Sequence, residues 1–208
     1  MRSMSQGTSL RGVGTACTNV ALATCFFLFA YANLHSFFEH PRLSVALIVI
    51  TEALVAILIL VRRDADNTRH SWQTWLSTAA GTMAPMLLRP TAATEDLVIG
   101  EIIQVAGFLL QIAAILSLNR SFGLLPAHRS VKSDGLYSLV RHPLYTAYTV
   151  SFIGYLINNL NFYNAAVIVV GTMFQVWRIR CEEDLLLKYP SYASYADRTR
   201  WRLMPSIW

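Results

Sequence analysis

The chain is short of charge. Only 14% of its 208 residues are Asp, Glu, Lys or Arg, and 54% are hydrophobic, against roughly a quarter charged in a soluble domain. The deficit excludes an ordinary water-soluble globule and points to an integral membrane protein; the length allows one compact domain over 1–208. Lysine is nearly missing, with Lys132 and Lys188 the whole set. The net charge of +5 is therefore carried by arginine, in short loops between apolar runs and on no dense basic face. That excludes nucleic acid as a partner and fits positive-inside topology. Cysteine is scarce as well. Cys17, Cys25 and Cys181 make no CxxC and no Cys/His cluster, so neither a disulfide framework nor a metal site is predicted. The chain shows no internal repeat and no low-complexity tract.

What it does have is long apolar runs. A membrane span needs about 20 mainly apolar residues. Ala16 to Leu34, Leu43 to Val61 and Leu97 to Leu118 qualify as spans. The first follows Arg2 and Arg11, but it is too long for the core of a signal peptide and no cleavage signal follows it. Trp72 to Leu88 is weaker, interrupted by Gln73, Gly81 and Pro85, and reads as a short or kinked span. Leu144 to Ile157 and Phe162 to Trp177, joined by Asn158–Asn161, read as a helix-turn-helix hairpin, with helical spacing running on to about Lys188 until Pro190 breaks it. Arg residues fill the N-terminus, the 62–70 loop, the 119–142 gap and the tail, whereas the 158–161 turn has none. The alternation predicts an all-α, multi-pass membrane protein of about six crossings with both termini cytoplasmic and a cytoplasmic helical extension. Trp201, Leu203, Met204, Ile207 and Trp208, mixed with Arg198, Arg200 and Arg202, read as an interfacial anchor on membrane lipid.

Two clusters carry chemistry. The first is Gly135 to Tyr145, with Tyr137, Arg141, His142, Pro143 and Tyr145 at the start of a predicted helix. Proline at the first helical position is pre-organised, and the positive helix end beside Arg141 and His142 suits a carboxylate or phosphate. Contact with lipid headgroups is the competing reading. The second cluster is Arg178 to Asp184, where Arg178 and Glu182, and Arg180 and Asp184, stand four apart on one helical face. A solvated juxtamembrane helix would show the same pairs, but an acidic patch beside anionic lipid argues for Glu182 or Glu183 binding a cationic group. Glu52, Glu101, Gln104 and Gln111 lie within spans and read as interhelical bonding groups or as a polar path.

Gly135-x-Tyr137-x-x-x-Arg141-His142-Pro143-x-Tyr145, the hairpin, Glu182-Glu183 and the closing Tyr192, Tyr195 and Pro205 resemble the isoprenylcysteine carboxyl methyltransferase family. Asn119-Arg120-Ser121-Phe122-Gly123 resembles its bacterial members. The resemblance runs from about Leu116 to Pro205. It implies S-adenosyl-L-methionine as cofactor, residues 1–118 as helical scaffold and 119–208 as the cofactor-binding catalytic region. Tyr137, Arg141, His142, Pro143, Leu144, Tyr145, Glu182 and Glu183 stand at the positions the resemblance assigns to cofactor binding, with Arg129, Ser130, Val131 and Lys132 as a further segment. Arg178 matches the arginine that holds an acceptor carboxylate. The chain departs from the pattern in the short Glu183–Tyr192 spacing and in Lys132 and Asp134.

The residue chemistry agrees with that implication. Arg141, His142 and the helix start suit the cofactor carboxylate, Glu182 its ammonium or ribose, and the tyrosines its purine or sulfonium. The implied reaction is methyl transfer to a lipophilic or prenylated acceptor. A carboxylate acceptor needs no base, only Arg178 to orient it. A thiol, amine or phospholipid headgroup acceptor would call on His142 to take a proton. A non-catalytic transporter or binding protein, with Glu52 and Glu101 on its path, is the reading of another class. The oligomeric state leaves no mark on the sequence.

Overall fold

The computed structural model describes residues 3–62, 67–68, 71–91, 97–125, 127–128 and 131–208. The chain divides into two compact units, Met1–Arg62 and Arg63–Trp208. In the first, α1 (Ser3–Glu39) runs into a turn at Pro41 and returns as α2 (Leu43–Val61), against which it packs. The buried positions of α2, Ser44, Leu47, Thr51, Val55, Leu58 and Ile59, recur at the three- and four-residue spacing of one helical face. The hydroxyl of Thr51 donates to the carbonyl of Leu47, which satisfies it inside the helix. Glu52 keeps one buried carboxylate oxygen without a partner.

The second unit opens with β1 (Asn67–Thr68), which pairs antiparallel with β2 (Ala127–His128). Helix α3 (Trp72–Met83) begins where Ser71 accepts from the Thr74 amide, and it tightens into a 3-10 turn over Ala84–Leu87, at Pro85. Helix α4 (Val98–Leu118) follows, then α5 (Pro143–Asn158), α6 (Phe162–Leu186) and α7 (Pro190–Arg198). Helix α4 packs along α5 and α3 along α6, while α5 and α6 touch only lightly. Asn161 caps α6 through the Asn164 amide. Asn164 itself, fully buried, bonds both the amide and the carbonyl of Arg89 and so ties the end of the 3-10 turn to α6.

The α4–α5 seam is close because glycines line it. A Cβ at Gly107 would lie 2.3 Å from Oγ of Ser151, and one at Gly154 would lie 2.4 Å from the Gln104 backbone nitrogen. Backbone thus meets backbone, flanked by buried Gln104, Gln111, Ala147 and Ser151. Gly154→Val is expected to force the helices apart and to cost about 1–3 kcal/mol. Thermal unfolding in detergent measures it, and an unchanged midpoint would contradict the contact.

Among the described residues, four helices are long and apolar enough to cross a membrane: Thr15–Glu39, Leu43–Val61, Val98–Ser121 and Phe162–Leu186. Their outward faces carry exposed Leu28, Ile50, Ile102, Leu109, Val169 and Met173. Such faces are at home against lipid, where helices satisfy their own backbone bonds. Sequence reading expected six crossings. Helix α3 has 12 residues and α5 has 16. At 1.5 Å per residue that is about 18 and about 24 Å, short of a ~30 Å hydrocarbon core. The structure adds two details. Pro190 does not simply end α6, which stops at Leu186; it opens α7. The segment after α7 is folded onto Arg141 and His142 through its backbone.

Candidate functional site

The polar gap between α4 and α5 enters the site through Gly135. Its φ of +58° lies in the left-handed region that glycine enters without strain. A 3-10 turn over Gly135–Ser138 follows and buries Tyr137, whose carbonyl accepts from the Tyr195 hydroxyl at 2.6 Å. His142, with φ −128° and ψ 58°, stands just outside α5, and Pro143 occupies its first turn. The motif is thereby a hinge between an irregular segment and a helix, and its side chains point back over the end of α6.

Successive side chains on a helix are turned by roughly 100°, and α6 uses this at Glu182 and Glu183. Glu182 faces a cavity. It accepts from the Tyr145 hydroxyl at 2.7 Å and lies 3.3 Å from Nε of Arg178, four residues earlier. The Arg178 guanidinium lies over the Tyr145 ring at 5.5 Å and donates to the Leu124 carbonyl. Its Nε makes no hydrogen bond of good geometry despite being buried. Glu183 turns the other way. Its carboxylate takes Nε of Arg141 at 2.7 Å, Nε2 of His142 at 3.2 Å and Nε of Arg202 at 2.6 Å.

The cavity is lined by Leu118, Ser121, Phe122, Gly123, Leu125 and Ala127 on one side, and by Val131, Lys132, Tyr137, Arg141, His142, Leu144 and Tyr145 on another. Arg178, Glu182 and Leu186 of α6 and Tyr192 and Tyr195 of α7 close it. Tyr192, Tyr195 and Ala196 form a small buried cluster against Val131 and Leu186. Burial pushes the phenols of Tyr137 and Tyr192 well above the usual range. Tyr195 is raised to about 12, first by burial; the Arg141 charge opposes the rise and Glu183 adds to it. Burial thus favours the neutral, donor-bearing form of these phenols. The Tyr195 hydroxyl has its partner in Tyr137, whereas the buried Tyr192 hydroxyl has none.

Of the residues predicted from sequence, Val131, Lys132, Tyr137, Arg141, His142, Leu144, Tyr145, Arg178 and Glu182 come together on this one cavity. Arg129 and Ser130 lie outside the described residues. Pro143 is buried at the start of α5, and Glu183 in its own ionic cluster; neither lines the cavity. Arg141 reaches it, yet it spends its Nε on Glu183 and a terminal nitrogen on the carbonyls of Ala196 and Thr199. Sequence reasoning placed Arg202 in an interfacial anchor and not beside Glu183, and it named Tyr192 and Tyr195 without the helix α7 that carries them. Tyr192, Tyr195 and Ala196 after Pro190 were the available signal, since three- and four-residue spacing marks a helical face.

Residues 98–188 match the model of the isoprenylcysteine carboxyl methyltransferase (ICMT) family. Neither the curated proteins nor the solved structures give a match to this chain.

Proposed function

We propose, from the match of residues 98–188 to the isoprenylcysteine carboxyl methyltransferase family model, that this chain is a member of that family and moves a methyl group from S-adenosylmethionine to a lipophilic acceptor, the carboxylate of an isoprenylcysteine-like substrate. The family match supports a methyltransferase, and four helices long and apolar enough to cross a membrane support an integral membrane protein. The observation that carries the finer reading is the buried Arg178–Glu182 pair on the cavity wall, beside an unpartnered Tyr192 hydroxyl.

That donor set fits the methyl donor. Glu182 would hold its ammonium or ribose hydroxyls. Tyr192 would donate to one of its polar atoms, and the faces of Tyr137 and Tyr145 suit a purine or sulfonium. Val131, Lys132, His142 and Leu144 complete the contact, with Arg129 and Ser130 as further proposed contacts. When bound, S-adenosylmethionine supplies a methyl group activated on a sulfonium. The protein's part is positioning, since an in-line displacement is governed by alignment. Arg178 orients the acceptor carboxylate and offsets part of its charge. With a pKa near ~3.5 that acceptor is already ionised, so His142 is needed to hold the wall and takes a proton only from a thiol or amine acceptor. Arg141, Pro143 and Glu183 frame the site.

In the membrane, α3 and α5 serve as short crossings, α5 and α6 as a hairpin, and the end of α6 from Arg178 as a cytoplasmic extension. Arginine-rich loops on the side of the site support both termini being cytoplasmic. Residues 1–118 then act as scaffold and 119–208 as the cofactor-binding region.

Detergent-purified protein is expected to bind S-adenosylhomocysteine by calorimetry, and absence of binding would overturn the reading. Membranes given methyl-labelled S-adenosylmethionine are expected to incorporate label that mild base releases, as a methyl ester requires. Base-stable label would instead mean an amine or thiol acceptor.

A further inference from the structure

Glu183 is enclosed, with its side chain 5% exposed. Two of its three side-chain partners, Arg141 and His142, come from the motif before α5. The third, Arg202, comes from the segment after α7, beyond the stretch that matches the family. That segment is laid along the motif by its backbone. The Arg141 and His142 amides donate to the carbonyls of Trp201 and Arg202, each at 2.9 Å, and the Thr146 hydroxyl donates to the Leu203 carbonyl at 2.7 Å.

Arg202 is itself held in place. The Trp208 carbonyl accepts from the amides of Arg202 and Leu203 at 2.8 and 2.9 Å, and the Arg202 guanidinium lies over the Trp208 ring at 5.3 Å. The two oxygens of Glu183 are thus divided. Oε1 serves Arg141 and His142, and Oε2 serves Arg202. His142 lines the cavity with one ring nitrogen 3.2 Å from Glu183 and the other 3.8 Å from Glu182. Without Arg202, Oε2 has no cation, and the carboxylate that meets His142 is held from one side only.

We propose that Arg202 is a positioning residue for methyl transfer: it anchors Glu183 and, through Glu183, fixes His142 against the cofactor site. The inference rests on the methyltransferase reading above. Arg202 touches neither the cavity nor the reacting atoms; its side chain is 35% exposed, so its replacement opens no buried void.

The test compares Arg202→Gln and Arg202→Lys with the unaltered protein, reading kcat, acceptor KM, S-adenosylhomocysteine affinity by calorimetry and the thermal midpoint. Arg202→Gln is expected to lower kcat on the order of 10- to 100-fold, as small misplacements at a reacting centre do. S-adenosylhomocysteine binding should weaken in parallel, with acceptor KM little changed. Arg202→Lys, which restores a cation to Oε2, is expected to recover most of the loss. Should the glutamine variant not fold, Trp208→Leu loosens the guanidinium without removing it and is expected to give the same pattern more weakly. Wild-type kinetics and binding in Arg202→Gln would overturn the inference and leave the methyltransferase reading intact. So would losses that raise acceptor KM and lower the thermal midpoint together and are not rescued by lysine. Failure of the unaltered protein to bind S-adenosylhomocysteine would overturn both.

Discussion

Arg178→Met is expected to remove nearly all turnover of a carboxylate acceptor while S-adenosylhomocysteine still binds. Arg178 is a buried cation on the cavity wall, stacked over Tyr145, and methionine keeps much of that packing while deleting the charge. An acceptor carboxylate bound in the cavity would pair with this guanidinium away from water, and truncating one partner of such a pair costs about 2–5 kcal/mol. At 1.36 kcal/mol per decade that is roughly 30- to 5,000-fold in kcat/KM. Glu182 keeps the Tyr145 hydroxyl, so that part of the cavity wall, the proposed cofactor side, is preserved. Titrating acceptor and cofactor separately reads the split. Equal losses on both would mean that Arg178 shapes the cavity and does not meet the acceptor. Full activity would mean that the acceptor carries no carboxylate.

The largest loss of stability is expected from Glu183→Leu. Without the carboxylate, the guanidinium groups of Arg141 and Arg202 converge with the His142 ring on a buried point that holds no negative charge. Breaking a buried ion pair from one side costs about 3–5 kcal/mol. Thermal unfolding in detergent, followed by tryptophan fluorescence, reads it directly. Adding Arg202→Leu to Glu183→Leu should recover part of the loss, because one of the stranded charges goes with it. A loss below about 1 kcal/mol is the size expected of an exposed pair and would show that water reaches the cluster.

Helix α2 was legible to the residue because Pro41 and the arginines after Val61 bracket an unbroken apolar run. The start of α5 was legible because proline suits a first helical turn, and the start of α6 because Asn161 can cap it. Helix α1 outruns its predicted span, Ser3–Glu39 against Ala16–Leu34, because hydropathy reports preference for lipid and not where helical hydrogen bonds end. In the site, the Arg178–Glu182 pair followed from four-residue spacing. Which of two adjacent glutamates faces the cavity did not, since that depends on the rotation of α6. The docking of Trp201–Leu203 was hidden for another reason. It works through backbone carbonyls, and no side-chain pattern marks a carbonyl that will be used 50 or more positions away. Reading Arg198, Arg200 and Arg202 as one interfacial set concealed that the last of them turns inward to Glu183.

The close seam between α4 and α5 bears on the cavity. Leu118 at the end of α4 and Leu144 and Tyr145 at the start of α5 belong to the same cavity wall, and the two helices below them meet through glycines and small side chains. Packed interiors yield to a bulkier guest by changing side-chain rotamers. A contact made largely of backbone and small side chains has few rotamers to change. The close approach at Gly107 and Gly154 therefore fixes the spacing of the two helices whose ends carry Leu118, Leu144 and Tyr145 on the cavity.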